Sequence, residues 1–530
     1  MAKKKTQVLN GIEYVFKDWS VWDKEKQYST HKREYIGKIV DGEFVPNKRY
    51  ELEMALAEEK KRGPKSSKVS SRKFYGATYL FDQMGEQLGI TADLQSCFPK
   101  QWNKILSLAY FLILEDRNPL SRFPKWARTH EHPYEKELSS QRLSELCGSI
   151  DESAKMEFFK KQVARRAESE YLAYDTTSIS SYSQSLTQVK YGYNKDHDPL
   201  PQINLAMVFG EDSRLPVYYR KLPGNMSDVK TVTKLIHELE LFNIPKVKLV
   251  TDRGFYSQDN ITALMDKHYS FLIGLKTSLK MVQDKRKEVG RDILNRSHYL
   301  SDEQVYVVSS QEIWKFEKTM PRSKEVIQED RRVYLQLYYN DIRGAEERMS
   351  FHRMLDGLQN ELSAGNKVKE HESQYDKYFA ITQTPVRGVK IEPKEEAIAD
   401  KLDRCGYFAL LSNHVCDPKE ALYIYRAKDL IEKAFGNLKE RLNGRTTTVF
   451  SEENLDGKLF IQFVALMVMS QVQKVMTENG LFKKYTMQGL LDELDIIELF
   501  RQSGKRAYPG EITQKQIDIY RYFEVSAPKD

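Results

Sequence analysis

Between Tyr171 and Leu275 the apolar residues stop recurring at helical steps and begin to alternate, and the order in which they do so limits the fold more than any other feature. Tyr171-Leu-Ala-Tyr-Asp175-Thr-Thr reads as a strand ending in polar residues. Gln202–Phe209 and Leu215–Lys221 flank a turn at Gly210 and read as a hairpin. A turn at Leu222–Asp228 caps a helix to about Leu241. There follow a short strand, Lys246–Asp252, a helix over Gln258–Lys267 and a strand over Ser270–Leu275. Three strands, then helix, strand, helix, strand predict a mixed α/β sheet with an antiparallel start, the arrangement of an RNase H-like domain.

The flanking regions are of other kinds. Residues 1–60 alternate aromatic or β-branched with polar residues around an Asp41-Gly42 turn and predict a small β-meander. Residues 61–75 are a basic linker rich in Gly, Pro and Ser, which either is simply solvated or tracks a phosphate backbone. Residues 76–168 are helical. Tyr79, Leu80, Met84 and Leu88, with Gly89 before Ile90 and Leu94, have the spacing of a helix-turn-helix, equally that of a plain helical hairpin. The sheet domain takes in 169–275 and 404–476. Residues 276–403 form a β-rich insertion that splits it, and 477–530 a helical appendage.

The first strand and the fourth would be neighbours, so Asp175 and Asp252 would project from one edge of the sheet. Ala421–Gly444 reads as a single helix, with Gly444 as its stop. Tyr425, Lys428, Glu432 and Lys439 line a stripe beside its apolar face, so that Glu432 can face the two aspartates. Three converging carboxylates repel one another unless a cation neutralises them. An all-oxygen donor set favours Mg²⁺ or Mn²⁺. Two such ions about 4 Å apart suit an in-line phosphoryl displacement.

YDTTSIS around Asp175, LPGNMSD before the helix, VTDRGFYS around Asp252 and the Y-x2-K-x3-E-x6-K spacing through Tyr425, Lys428, Glu432 and Lys439 resemble the DDE transposases of bacterial insertion sequences, in the branch with a β-rich insertion before the Glu. The resemblance implies that Asp175, Asp252 and Glu432 are the catalytic metal ligands, and that Tyr425, Lys428 and Lys439 hold phosphates of double-stranded DNA. The family signature has Arg at the position of Lys428; lysine keeps the charge but not the bidentate fork. Arg253 reads as a DNA contact or a structural ion pair, and Trp314 as a base-stacking residue of the insertion or as core packing. Asn225 and Asp228 read as turn and cap residues, and Asp196, His197 and Asp198 as a solvated turn.

The implied activity is cleavage at terminal inverted repeats and joining of a 3′-hydroxyl to target DNA by a homodimer. An RNase H-like nuclease that never joins and a domesticated DNA-binding protein are the alternatives. A net charge of +7 permits an acidic polymer as partner. Four scattered cysteines argue against a zinc ribbon and fit a reducing, bacterial cytoplasm with the protein on the nucleoid. The longest apolar runs, Ile105–Leu114 and Ile461–Met469, are expected to be too short to span a bilayer, so no membrane partner is expected.

Overall fold

The computed structural model describes residues 3–23, 28–54, 70–166, 170–183, 185–242, 244, 246–319, 326–384, 388–426, 428–502 and 506–529. The expected linker falls mostly outside them. The chain divides into two compact units, Met1–Ser71 with Phe500–Ala507 and Arg72–Leu499 with Tyr508–Asp530.

In the smaller unit β1 (Lys3–Leu9), β2 (Ile12–Asp23), β3 (Tyr28–Val40) and β4 (Glu43–Pro46) pair in sequence order. Asp41 and Gly42 both have positive φ, which suits the tight turn between β3 and β4. Val15, Phe16 and Ile36 are its buried apolar residues.

The division falls within β5 (Ser70–Phe74), and the larger unit goes on through helices Gly76–Gln87 and Ile90–Cys97. Gly89 between them is left-handed, with φ of 73°. Leu80, Met84, Ile90 and Leu94 all point into the main core. The sheet follows: β6 (Leu172–Ser181), β7 (Gln202–Gly210), β8 (Pro216–Pro223), β9 (Lys248–Thr251) and β10 (Ser270–Leu275) stand in the order β8-β7-β6-β9-β10. The β6–β7 and β7–β8 pairs are antiparallel, and β6–β9 and β9–β10 are parallel.

Three expectations are corrected here. The first strand does not end at Thr177; β6 continues to Ser181, because Ser178–Ser180 also pair with β7 and their small or β-branched side chains pack as strand residues. The β-rich part of the segment 276–403 does not stand apart from the sheet. β11 (Tyr299–Leu300), β12 (Val305–Thr319) and β13 (Val326–Tyr339) extend it, β13 pairing with β16 (Tyr407–Ser412), which pairs in turn with β10. What stands apart is the helical piece after Tyr339, where Phe351, Leu358, Tyr375 and Phe379 form a second core. There β14 (Phe379–Thr384) and β15 (Gly388–Pro393) make a separate hairpin.

The third correction concerns the late apolar run, which belongs to a 27-residue helix, Glu452–Glu478. By length and composition this helix could cross a membrane, but 83% of its apolar window is buried within the protein. Phe460 packs on Phe98, Phe158 and Phe159, and Phe463 on Phe159 and Tyr219, so the helix joins the helical segment to the sheet. The four cysteines are all free thiols.

Candidate active site at the edge of the sheet

Parallel pairing sets Tyr174 opposite Thr251, so the next residue on each strand, Asp175 and Asp252, stand side by side. Of the ten described residues of β6, Asp175 alone is not fully buried. Asp252 opens the short turn Arg253–Phe255, and its carboxylate accepts from the Arg253 N–H.

The expected single helix over Ala421–Gly444 is two, Pro418–Arg426 and Asp429–Glu440. Around the break the backbone tightens to three-residue steps, Lys428 N to Tyr425 O and Ile431 N to Lys428 O. The far end stops as the sequence implies, with Asn443 left-handed and Gly444 N bonded to Leu438 O. Tyr425 and Lys428, three residues apart on one face, reach the same carboxylate. Tyr425 Oη donates to Asp252 Oδ1 at 2.7 Å, and Lys428 Nζ lies 3.4 Å from Asp252 Oδ2 and 3.5 Å from Glu432 Oε1. Glu432 stands in the first turn of the second helix, where a carboxylate is favoured by the helix dipole. Its side chain is 61% exposed.

The two aspartates differ electrostatically. Burial raises the Asp175 carboxyl above its ordinary value; the Lys195 ammonium, the Thr176 N–H and Lys428 offset only part of this. Burial acts on Asp252 in the same sense, but Lys428, the Tyr425 hydroxyl and the Arg253 N–H together more than cancel it, and its carboxyl lies below the ordinary value. Burial, then the Asp252 charge, pushes the Tyr425 phenol far up, so it remains a hydrogen-bond donor.

Sequence reasoning missed four residues that complete this arrangement. Lys195 Nζ donates to Thr176 O at 2.6 Å and lies 3.4 Å from Asp175 Oδ1 and 3.8 Å from Asp228 Oδ2. Asp228 is more than a helix-start residue, since it accepts from Thr176 Oγ1 at 2.6 Å. Asp196 is an exposed turn residue as expected, but it is also the counter-ion of buried Lys439 at 2.6 Å. Burial lowers Lys439 below the usual lysine range, although Asp196 pulls it back up. Gly274 lies beneath Tyr425: a Cβ there would come within 2.6 Å of Tyr425 Oη and 3.0 Å of Arg253 N. The only sequence signals were the LPGNMSD turn and the acidic character of the 196–198 loop.

Asp175, Asp252, Tyr425 and Lys428 are thus brought together, with Glu432 attached through Lys428. Arg253 is exposed beside them. Trp314 is elsewhere, on β12, nine-tenths buried in the main core with its indole N–H unpaired. Among the described residues no three His, Cys, Asp or Glu side chains are grouped so as to hold an ion. Lys428 occupies the space between Asp252 and Glu432 as a point charge.

The sequence matches the family model described as a transposase DDE domain over residues 166–468, more than half of the chain. No curated protein matches it significantly. Among solved structures, the cryo-EM structure of the piggyBac transposase synaptic complex with hairpin DNA is similar, at 9% identity over 78% of this chain and 70% of that chain, with a TM-score of 0.34. The match spans both aspartate-bearing strands and the helix that carries Glu432, and by it this chain belongs to the DDE transposase family.

Proposed function

We propose that the chain is the transposase of a bacterial insertion sequence, with an RNase H-like catalytic core that cleaves DNA at terminal inverted repeats and joins the freed 3′-hydroxyl to a target. The observation that carries this is the pair Asp175 and Asp252 on adjacent parallel strands, with Tyr425 and Lys428 gripping one of them and presenting Glu432. The strand order β8-β7-β6-β9-β10 supports the RNase H-like reading.

The donor set fits divalent cations. It is all oxygen, and burial holds Asp175 above its ordinary titration range, with Lys195, the Thr176 N–H and Lys428 offsetting only part of this. Asp175 and Asp252 would hold the ions, with Glu432 joining once it leaves Lys428. Two Mg²⁺ or Mn²⁺ ions bound there would supply the Lewis acidity that activates the attacking oxygen and stabilises the departing one.

The chain's own residues do the rest. Tyr425 fixes the Asp252 carboxylate through its hydroxyl. Lys428, released from the two carboxylates, becomes a point charge for a DNA phosphate. Arg253, exposed beside the pair, suits a second phosphate contact. Lys439 contributes to phosphate binding only as far as a phosphate displaces Asp196, and Trp314 would need to leave the core to stack on a base. The active species is a homodimer on two element ends, working in the cytoplasm at the nucleoid.

The test is incubation with labelled, pre-cleaved end DNA, a target plasmid and Mg²⁺. Covalent joining of label to plasmid is expected. Nicking without joining would replace this reading with that of a nuclease.

A further inference from the structure

Away from the carboxylates, a cavity of about 580 Å³ opens between the helices Trp102–Leu114 and Ser140–Gly148 and the first turns of Glu452–Glu478. Its volume lies within the roughly 300–1,000 Å³ of small-molecule sites. Leu112, Leu143, Leu442 and Val449 line it with hydrocarbon, and Ser121 and Ser144 bring hydroxyls to it. Phe450, 64% exposed, is also part of its lining.

One charge faces this largely apolar space. Lys458 lines the cavity, and among the described residues its ammonium has neither a hydrogen-bond partner nor a carboxylate beside it. Burial holds it below the usual lysine range, and the titratable group acting on it is the Cys147 thiol. Burial pushes that thiol up to about 11, so it stays neutral and supplies no counter-charge. Lys458 is half-buried, so its ammonium stands in an apolar wall with no carboxylate beside it and stays open to an incoming anion. Nor can the wall close onto it. Gly457, the preceding residue, is so near the Ser140–Gly148 helix that a Cβ would come within 2.1 Å of Cys147 O, which fixes the two helices against each other.

We propose that this cavity is a binding site for a small organic monoanion, an apolar body ending in one carboxylate, whose head group pairs with Lys458 and whose body lies against Leu112, Leu143 and Leu442. A single ammonium matches a single negative charge. A phosphate dianion would leave one charge uncompensated among hydrocarbon, which selects against inorganic phosphate and against the DNA backbone. The site is independent of the DNA chemistry proposed above.

The experiment is calorimetric titration of the full chain with decanoate, decan-1-ol and inorganic phosphate, repeated on Lys458→Met and Leu143→Trp. Wild type is expected to bind decanoate one to one. Lys458→Met should weaken decanoate about tenfold or more, the loss of one charge-assisted hydrogen bond, and leave decan-1-ol unchanged. Leu143→Trp, which fills the cavity, should abolish both. Millimolar phosphate should not compete. Should Lys458→Met fail to fold, Lys458→Gln and the decanoate-dependent rise in the wild-type melting temperature, absent in Leu143→Trp, carry the same test. No decanoate binding, equal decanoate affinity in wild type and the Lys458 variants, or displacement by phosphate would overturn the proposal.

Discussion

The carboxylates on the sheet and the carboxylate on the helix are held in opposite ways. Asp175 and Asp252 are fixed by the register of two parallel strands and lie partly buried. Glu432 is mostly exposed, one turn beyond a break in the backbone, and is tethered only through the ammonium of Lys428. Strand pairing leaves little freedom, since every backbone group is bonded to a neighbour. A side chain just past a helix break moves at the cost of one exposed ion pair, about 0.2–1 kcal/mol. The sheet therefore holds two carboxylates in place, and the helix presents a third that is free to move.

The sharpest test of this difference has the largest effect. Asp175→Ala, Asp252→Ala and Glu432→Ala should each lower strand cleavage at least about 100-fold while leaving end-DNA binding largely intact. If Glu432→Ala alone keeps more than that residual rate, the helix carboxylate is not a partner of the sheet pair.

Next in size is Gly274→Ala. Its methyl group would strike the Tyr425 hydroxyl and push it off Asp252, costing about 1–3 kcal/mol of stability. Adding Tyr425→Phe removes the nearest of the clashing atoms, leaving the looser approach to Arg253 N, so thermal unfolding of the double variant should recover in part relative to Gly274→Ala. Additive losses would mean that Gly274 does not position Tyr425.

Within the sheet pair, stability should move in opposite directions. Asp175 has a raised carboxyl, so its charged form costs stability at neutral pH, and that cost is relieved as pH falls through its folded-state value. Asp252 has a lowered carboxyl and contributes stability above the ordinary 3.8 that is lost as pH falls through its lower folded-state value. At pH 7 Asp175→Asn should therefore raise the melting temperature and Asp252→Asn should lower it. A shift of the same sign in both would erase the contrast.

The smallest effect expected is on DNA affinity. Lys428→Ala should reduce the salt dependence of end binding by about one unit of slope, with Lys428→Arg keeping it. Lys439→Ala should change it less, since Asp196 already neutralises Lys439.

Much of this site was legible along the chain because it depends on local pattern. Alternation marked the strands, and Ser270–Leu275 was found at its expected bounds. The neighbouring of β6 and β9 followed from element order. What could not be read depends on contacts distant in sequence. Lys439 meets Asp196 across 243 residues, and Thr176 meets Asp228 across 52. Neither pair has a periodic signature. The helix break at Lys428 was hidden because helical spacing of apolar residues continues through it, from Leu422 and Ile424 to Ile431 and Phe435. Likewise the pairing of β13 with β16 joins segments separated by a whole helical piece, so the insertion read as a unit apart when its strands are part of the sheet.

The long helix Glu452–Glu478 gives the molecule an order in time. It packs on both the sheet and the helical segment, yet it is synthesised roughly 300 residues after Asp175. At about 5–20 residues per second, some 15–60 s separate the two on the ribosome. Through that interval the nascent chain carries its first carboxylates without the element that closes the core around them. A message cut short before Glu452 leaves Phe98, Phe158, Phe159 and Tyr219 without the helix they pack against.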